Sequence, residues 1–340
     1  MAERSKDQVK RARRQPPPSP WTAAKPAGII TRAAHSRGEP RRTTIDAALD
    51  IPNALPFEVV APAEQRIPFV FNSPHSGRVY PADFLEASKL DERMIRRSED
   101  TFVDDLFASV VPLGAPLMRA HFPRAWLDVN REPYELDPRM FAGELPPYAN
   151  IRSLRVAGGL GTIARVVSEN VEIYAEPIPV AEALHRIETI YKPYHETLRQ
   201  LLTATHQRFG FCVLIDCHSM PSSVRAAPGR ARADIVLGDR YGSSCAPELT
   251  EAAYAILSDA GYAVARNKPY AGGFITEHYG RPGDGLHALQ IEINRGLYLN
   301  ERTLQLNSGF ERLAADLARF TAALSSVPDT ALYPLAEAAE

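Results

Sequence analysis

The apolar and polar positions follow two different periods, which predict short buried strands separated by longer helices. Short runs rich in β-branched and aromatic residues are typical of buried strands. They occur at residues 67–72, 126–130, 211–217, 234–237, 262–266 and 289–293. Helical spacing is found over residues 83–97, 101–111, 178–209, 247–259 and 302–324. In the longest of these segments, Ile187, Ile190, Tyr194 and Leu198 recur at three- and four-residue steps, and Gly210 is a stop signal.

Strands that alternate with long helices predict an α/β fold in which helices are layered on a sheet. In open α/β sheets, ligands bind outside the carboxyl ends of the strands. Three predicted strands bring reactive residues to such positions: the first leads to His75, the third leads to His218, and the last contains Glu292. These residues are therefore the first candidates for a functional site.

Charge and composition divide the chain into a basic end and an acidic body. Residues 1–45 contain eleven Lys and Arg against three Asp and Glu, with a PPPSP run and no hydrophobic periodicity. We therefore expect a disordered, basic, Pro/Arg-rich tail over 1–45, a single catalytic α/β domain over 46–330, and a C-terminal tail over 331–340. The net charge of the whole chain is −2, so the residues after the basic tail carry −10. A body this acidic argues against a nucleic-acid partner.

The cysteine content and the hydropathy bear on the cellular compartment. Cys212, Cys217 and Cys245 show no C-x-x-C spacing, and three cysteines cannot form a disulfide framework. A reducing, cytoplasmic location is the simpler expectation. No run of 18 apolar residues occurs, so we expect neither a membrane-spanning segment nor a membrane partner.

Two histidines are candidate metal ligands. His75 follows a proline and precedes a glycine by two positions, which favours a tight turn at a strand end; a surface histidine that caps a turn is the alternative. His218 lies two residues after Asp216, so strand alternation places both side chains on one side and Cys217 on the other. Asp216 is then a candidate hydrogen-bond partner for a ligand imidazole, and a buried Asp–His pair without a metal is the alternative.

Two neighbouring acids, Glu99 and Asp100, precede a predicted helix. Either acid can simply favour the helix N-terminus. A zinc site needs a third oxygen or nitrogen ligand, and Asp100 is a candidate for it. The choice between the two acids stays open on the sequence alone.

Polar residues on two further predicted strands complete the set of candidates. Glu292 lies in the middle of an apolar strand, where an unpaired carboxylate is costly to bury, so it is a candidate general base or the partner of a nearby arginine. Asp128 and Asn130 share a face of their predicted strand, and Arg131 follows them. An arginine beside an asparagine offers several donors to a carboxylate, and an interior salt bridge is the alternative.

Eight segments, in this order along the chain, resemble the N-formylglutamate amidohydrolase (deformylase) family. They are SPHSG at 73–77, DTFVDDLF at 100–107, DVNRE at 128–132, GGLGTI at 158–163, KPYHETL at 192–198, DCHSMPS at 216–222, DIVLGDR at 234–240 and QIEINRGLY at 290–298. The resemblance extends from about residue 66 to 300 and leaves out the basic N-terminal segment. It implies a zinc-carboxypeptidase-like three-layer α/β/α sandwich around a mixed, mostly parallel sheet.

The same resemblance implies roles for individual residues, which are written here as expectations. The metal ligands would be His75, Asp100 and His218, with one zinc ion as the cofactor. The general base would be Glu292, and the substrate carboxylate would be held by the Asn130–Arg131 pair. One departure from the carboxypeptidase pattern is Arg78, which stands where an acidic ligand is usual.

The leading hypothesis is a zinc-dependent amidohydrolase that converts N-formyl-L-glutamate, or a related small N-acyl amino acid, to the free amino acid. One alternative is an amidase or peptidase of the same scaffold with another N-acyl amino acid or peptide as substrate. Another is a non-catalytic binding protein that kept the fold.

Overall fold

The fold is built on a mixed seven-stranded sheet. The computed structural model describes residues 55–168, 170–224, 232–327, 330 and 332–333; the basic tail predicted over 1–45 lies outside them. The strands are β1 (Phe57–Val60), β2 (Phe69–Ser73), β3 (Leu117–Ala120), β4 (Phe141–Ala142), β5 (Val166–Ser168), β6 (Val171–Glu172), β7 (Ile178–Pro179), β8 (Cys212–Met220), β9 (Ile235–Gly238), β10 (Val264–Arg266), β11 (Leu286–Asn294), β12 (Leu299–Asn300) and β13 (Gln305–Leu306). The large sheet has the order β1-β3-β2-β8-β11-β9-β10, and the other strands form three two-stranded pairs. In the large sheet, β1 is antiparallel to β3 and β9 is antiparallel to β11, while the remaining neighbours are parallel.

Helices cover both faces of this sheet. They are α1 (Ala82–Ala87), α2 (Glu92–Ile95), α3 (Val103–Leu106), α4 (Val110–Leu113), α5 (Leu154–Ala157), α6 (Val180–Arg186), α7 (Lys192–Phe209), α8 (Pro247–Asp259), α9 (Phe274–Tyr279) and α10 (Phe310–Leu324). One apolar cluster joins the sheet to α6, α7 and α9, and a second joins the opposite face to α3, α4, α8 and α10. The three-layer α/β/α sandwich predicted from the sequence is therefore confirmed. No helix in the described ranges is long and apolar enough to span a membrane.

The central strand β8 brings polar side chains into the buried core. All nine residues of β8 are buried, as expected for a parallel strand with helices on both sides. Alternate residues point to opposite clusters: Val213, Ile215 and Cys217 belong to one, and Cys212 and Leu214 to the other. Asp216 and His218 continue the second row toward the carboxyl end of the strand, as the alternation predicted.

Several predicted elements agree with the structure. The strands predicted around 67–72, 211–217, 234–237, 262–266 and 289–293 are β2, β8, β9, β10 and β11, and the helix predicted over 247–259 is α8. Gly210 ends α7 with a φ of 85°, a left-handed conformation that glycine adopts without strain. In the segment predicted as a C-terminal tail, Leu332 is buried, and its carbonyl lies 2.8 Å from Nε2 of His287.

The strand predicted over 126–130 is wrong. The amides of Trp126 and Leu127 donate to the carbonyl of Pro123, which makes a turn, and the amide of Asp128 donates to Thr162 in a loop. The side chains of Asp128 and Asn130 nevertheless reach neighbouring histidines, since Asp128 lies 2.7 Å from Nε2 of His75 and Asn130 lies 3.2 Å from Nε2 of His218.

Other boundaries differ because local interactions interrupt the helical spacing. The helix predicted over 83–97 is broken into α1 and α2, since Ser88 pairs with Tyr174 and Asp91 caps the second helix. The segment 101–111 forms two single turns, α3 and α4, and a five-residue π-turn over Ile187–Tyr191 separates α6 from α7. Residues 302–309 contain turns and β13, so the last helix begins only at Phe310. The sequence pattern missed the short elements β1, β3 and α9, and in the first two a charged residue, Glu58 or Arg119, interrupts the apolar run.

Candidate metal centre and active site

His75 lies on a tight turn directly after β2, in the interior of the protein. Its Nε2 is 2.7 Å from Oδ1 of Asp128, which fixes the ring, while its Nδ1 is buried and has no hydrogen-bond partner. The turn passes so close to a neighbouring segment that a Cβ on Gly77 would lie 2.0 Å from the carbonyl oxygen of Phe122. Only glycine therefore fits at position 77, and the tight turn that it permits positions His75.

His218 occupies the carboxyl end of β8, opposite His75. Its Nε2 lies 2.8 Å from Oδ2 of Asp216, as the strand alternation predicted, and its Nδ1 lies 3.1 Å from Oδ2 of Asp100. Burial alone would lower the pKa of His218, but the two carboxylates raise it well above its usual range. The centroids of the two imidazole rings are 4.9 Å apart.

Asp100 closes the group. Its backbone amide donates to the carbonyl of His75 at 2.9 Å, and its Oδ2 lies 3.5 Å from Nδ1 of that residue. Its other oxygen accepts from Arg295 at 2.9 Å. Burial would raise the pKa of Asp100, but the hydrogen bond with His218, the proximity of His75 and the charge of Arg295 hold it well below its usual range. Asp100 is thus a carboxylate that faces both histidines.

Glu99, the other acid considered from the sequence, faces elsewhere. Its two oxygens each lie 2.9 Å from a guanidinium nitrogen of Arg96, and it also accepts from the hydroxyl of Tyr80. Arg78, which stands where an acidic ligand is usual, pairs with Asp104 at 3.4 Å. Of the acids weighed, Asp100 is the one that shares a site with the histidines.

The three donor atoms can hold a metal ion. One ligand atom from each of His75, Asp100 and His218 lies within 4.8 Å of the others, and all three residues are buried. Two nitrogens and one carboxylate oxygen form a ligand set that catalytic zinc uses. The unpartnered Nδ1 of His75 supports this assignment, because a buried ring nitrogen without a partner is costly unless something binds it.

Glu292 lies beside this group on the adjacent strand. It is the register partner of His218 between β11 and β8, and its Oε1 accepts from Gln290 at 2.9 Å. Burial, reinforced by the charge of Asp100, raises the pKa of Glu292 to about 7. The positive charges of Arg124 and Arg295 oppose this rise in pKa. Both arginines, however, pair with other carboxylates: Arg124 with Asp128 at 2.8 Å and Arg295 with Asp100 at 2.9 Å. A carboxyl group whose pKa is near neutrality is suited to exchange protons.

A cavity of about 1060 Å³ opens next to these residues, and its lining includes Glu292, Arg131, Arg124 and Tyr270. Arg131 donates to the carbonyls of Leu160 and Asn130, both at 2.7 Å. Burial, together with the nearby Arg124 and Arg155, lowers the pKa of Arg131 despite the charge of Asp128. An anionic ligand would relieve this excess of positive charge.

Asn130 and Arg131, which were predicted to act as a pair, make different contacts. The Asn130 side chain donates toward Asp216 at 3.3 Å and lies 3.2 Å from Nε2 of His218, and its oxygen accepts from the amide of Ile275 at 2.8 Å. These contacts are internal to the protein. Arg131, in contrast, reaches the cavity.

Some contributors to the site escaped the sequence-based prediction. The sequence indicates only a shared strand face for Asp128, whereas Asp128 is the partner of His75. Arg295, which pairs with Asp100, follows the strand that carries Glu292. Both stand within segments already singled out, so their position next to candidate ligands was the available signal. Arg124 and Tyr270 come from segments in which no neighbouring motif marks them.

Comparisons with known proteins point to one family. The model of the N-formylglutamate amidohydrolase family matches residues 67–299. The N-formylglutamate deformylase of Pseudomonas putida is 29% identical over 239 residues, which cover 69% of this chain and 83% of that protein. The N-formylglutamate deformylase of Pseudomonas aeruginosa is 29% identical over 249 residues, which cover 72% of this chain and 87% of that protein.

Solved structures give the same result. The crystal structure of an N-formylglutamate amidohydrolase from Ralstonia eutropha JMP134 superposes with a TM-score of 0.75 at 37% identity, over 79% of this chain and 97% of that one. The gene product Atu2144 from Agrobacterium tumefaciens, at 22% identity and a TM-score of 0.57, covers 81% of this chain and 96% of its own and shares the fold.

Proposed function

This chain belongs to the N-formylglutamate amidohydrolase family, and from that premise we propose that it hydrolyses N-formyl-L-glutamate to formate and L-glutamate with the help of one zinc ion. The residues that would hold the ion are His75, Asp100 and His218. The observation that carries the proposal is the convergence of these three buried donors beside Glu292, which itself lines the cavity.

The ligand set determines what a bound metal would contribute. When bound by two nitrogens and one oxygen, zinc lowers the pKa of a coordinated water and polarises a carbonyl group. Asp128 contacts Nε2 of His75, and Asp216 contacts Nε2 of His218. In both rings the other nitrogen, Nδ1, is therefore the atom left to face the proposed metal site. These contacts fix the orientation of both rings.

Glu292 is the proposed general base. Its carboxylate accepts a proton from the attacking water and then delivers that proton to the nitrogen of the leaving amine. Its pKa, raised to about 7 by burial, lets it be ionised for the first transfer and protonated for the second near neutral pH. Gln290 donates to one of its oxygens and so keeps the carboxylate in place.

Arg131 is the proposed binding residue for a substrate carboxylate. Its guanidinium group donates to two backbone carbonyls, lies 3.6 Å from Oδ2 of Asp128, and lines the cavity. Fixing the carboxylate there would turn the attack on the formyl group into an oriented, intramolecular-like step. Because the formyl group itself is small, selectivity would rest on the amino-acid part of the substrate.

The test is a measurement of formate release from zinc-loaded protein with N-formyl-L-glutamate, N-formyl-L-aspartate and N-formyl-L-glutamine, and of glutamate release from N-acetyl-L-glutamate. We expect the highest kcat/KM for N-formyl-L-glutamate, and loss of both bound zinc and activity in His218→Ala. Faster hydrolysis of another N-acyl amino acid or of a peptide would show that the protein uses the same reaction on that substrate instead. A protein that binds no zinc and stays inactive after zinc addition would instead be a binding protein with this fold.

A further inference from the structure

One helical face at the start of α7 is linked both to the proposed metal site and to the segment that carries Arg131. The residues are Tyr191, at the end of the π-turn, and Tyr194 and His195 in the first turn of α7. Their spacing of three and four places them on one helical face. All three are buried, and the centroids of the Tyr191 and His195 rings are 4.3 Å apart. The KPYHETL segment that contains two of them has no role in the function proposed above.

Tyr194 begins a chain of buried hydrogen bonds that ends at a proposed metal ligand. Its hydroxyl donates to Oδ1 of Asn72 at 2.5 Å, and the amide nitrogen of Asn72 donates to Oδ1 of Asp216 at 2.9 Å. The other oxygen of Asp216 lies 2.8 Å from Nε2 of His218. Because the Asn72 oxygen is taken by the hydroxyl, its NH₂ group is directed at the carboxylate. The tyrosine thereby sets which end of the amide Asp216 meets.

Tyr191 and His195 hold the backbone of the segment that carries Arg131. The hydroxyl of Tyr191 donates to the carbonyl of Arg131 at 2.6 Å, and Nε2 of His195 lies 2.8 Å from the carbonyl of Val129. A carbonyl only accepts, so Nε2 of His195 carries the hydrogen, and Nδ1 is left to accept from Tyr279 at 2.9 Å. Two carbonyls on either side of Asn130 are thus fixed to one helix.

We propose that Tyr191, Tyr194 and His195 act as positioning residues with separate tasks, so that Tyr194 sets the affinity of the metal site and Tyr191 and His195 set the position of Arg131 toward substrate. This rests on the function proposed above, because it takes His218 as a metal ligand and Arg131 as a substrate-binding residue. The π-turn that precedes α7 widens the helix immediately before this face, and such turns are frequent at functional sites.

Core packing is the competing explanation, and it makes a different prediction. If the rings only fill space, removing a hydroxyl and keeping the ring changes stability but leaves metal affinity and substrate affinity unchanged. If the hydroxyls position the site, each removal changes one of the two affinities. The two tyrosines can therefore be separated by what they change.

The experiment compares Tyr194→Phe and Tyr191→Phe with Tyr262→Phe, which loses a hydroxyl hydrogen bond to Asp316 in another part of the fold. The zinc dissociation constant is measured by chelator competition on metal-depleted full-length protein. KM and kcat for N-formyl-L-glutamate are measured on zinc-loaded protein, and unfolding midpoints are recorded for all variants. For Tyr194→Phe we expect about tenfold weaker zinc binding, at the low end for changes beyond the ligands, and a KM within twofold of wild type.

For Tyr191→Phe we expect the reverse: about a fivefold higher KM, from the loss of one hydrogen bond, and zinc affinity within twofold of wild type. Should either variant fail to fold, Asn72→Ala interrupts the first chain and His195→Phe removes the second contact, with the same expected shifts. The proposal is overturned if both tyrosine variants match Tyr262→Phe, or if each changes zinc affinity and KM together. Wild-type protein that neither binds zinc nor releases formate would refute the proposed function instead, before any variant is compared.

Discussion

Oδ1 of Asp128 lies 2.7 Å from Nε2 of His75, and this contact leaves the other nitrogen of the imidazole facing the space between His75 and His218. The carboxylate selects the tautomer, because an acceptor at Nε2 requires a hydrogen there and so leaves a lone pair on Nδ1. Burial would raise the pKa of Asp128, but Arg131, His75 and Arg124 hold it well below its usual range, so the acceptor is ionised.

This relationship predicts that Asp128→Asn weakens zinc binding by about 10- to 100-fold, because an amide can present a donor to Nε2 and release the ring from its tautomer. The measurement is zinc affinity by chelator competition. Asp239→Asn is the matched control, since Asp239 is also buried but bonds to Gly242 and Asn267. Equal zinc affinities in the two variants would show that Asp128 does not prepare the ligand.

Glu292→Gln separates catalysis from metal binding. The amide has nearly the same shape but cannot accept and return a proton, so we expect kcat to fall by about 10²- to 10⁴-fold while zinc content stays at the wild-type level. Formate release and metal analysis of the same preparation provide the check. Turnover near the parent rate would remove Glu292 from the role of general base.

The ion pair between the edge strand β1 and its neighbour β3 gives a prediction about acid stability. Glu58 on β1 contacts Arg119 on β3, and a hydrogen bond from His121, with the charge of Arg119, lowers the pKa of Glu58 to about 2 against an ordinary value of 4.5. A folded-state pKa below the unfolded one stabilises the protein above about pH 4.5, and this contribution is lost as the pH falls toward 2.

Glu58→Gln should therefore lower the free energy of unfolding by about 1–2 kcal/mol at pH 6, a value reduced from the full shift because solvent reaches the pair. The difference from wild type should shrink steadily as the pH approaches 2. Urea unfolding at several pH values measures it, with the exposed Glu86→Gln as the control. A difference that grows toward acid would contradict the assigned sign.

Gly77 offers a test of the turn that holds His75. A methyl group there would collide with the backbone carbonyl of Phe122, and a backbone atom cannot swing away as a side chain can. We expect Gly77→Ala to cost about 2–4 kcal/mol in unfolding free energy and to weaken zinc binding. Gly283→Ala is the control, because a Cβ at that position meets nothing within 4 Å. Similar stabilities for the two variants would show that the turn tolerates a side chain.

The layered fold and the placement of Asp216 beside His218 could be predicted from the sequence because strand periodicity is a local property. Asp216 and His218 are two residues apart on a strand, and that spacing alone puts them on one side. The turn at Trp126 could not be predicted in the same way. Its hydrogen bonds run to Pro123 and across to the loop at Thr162, and the second of these partners is distant in sequence.

The choice of the proposed acidic ligand shows the same division. Glu99 and Asp100 are chemically alike and adjacent, so no local rule separates them. The separation comes from Arg96, which binds Glu99, and from Arg295, which binds Asp100. Arg295 is brought to the site only by the pairing of β8 with β11.

The strand order has a consequence for how the protein is made. β2 and β8 are neighbours in the sheet, yet the α6–α7 region and the loops before it are synthesised between them. Sheet pairings between remote segments form late and slowly. A nascent chain that has not yet released β8 from the ribosome has only one of the two imidazoles, so the proposed metal site cannot form at that stage. Under the proposed function, metal binding therefore follows the pairing of β8 with β2.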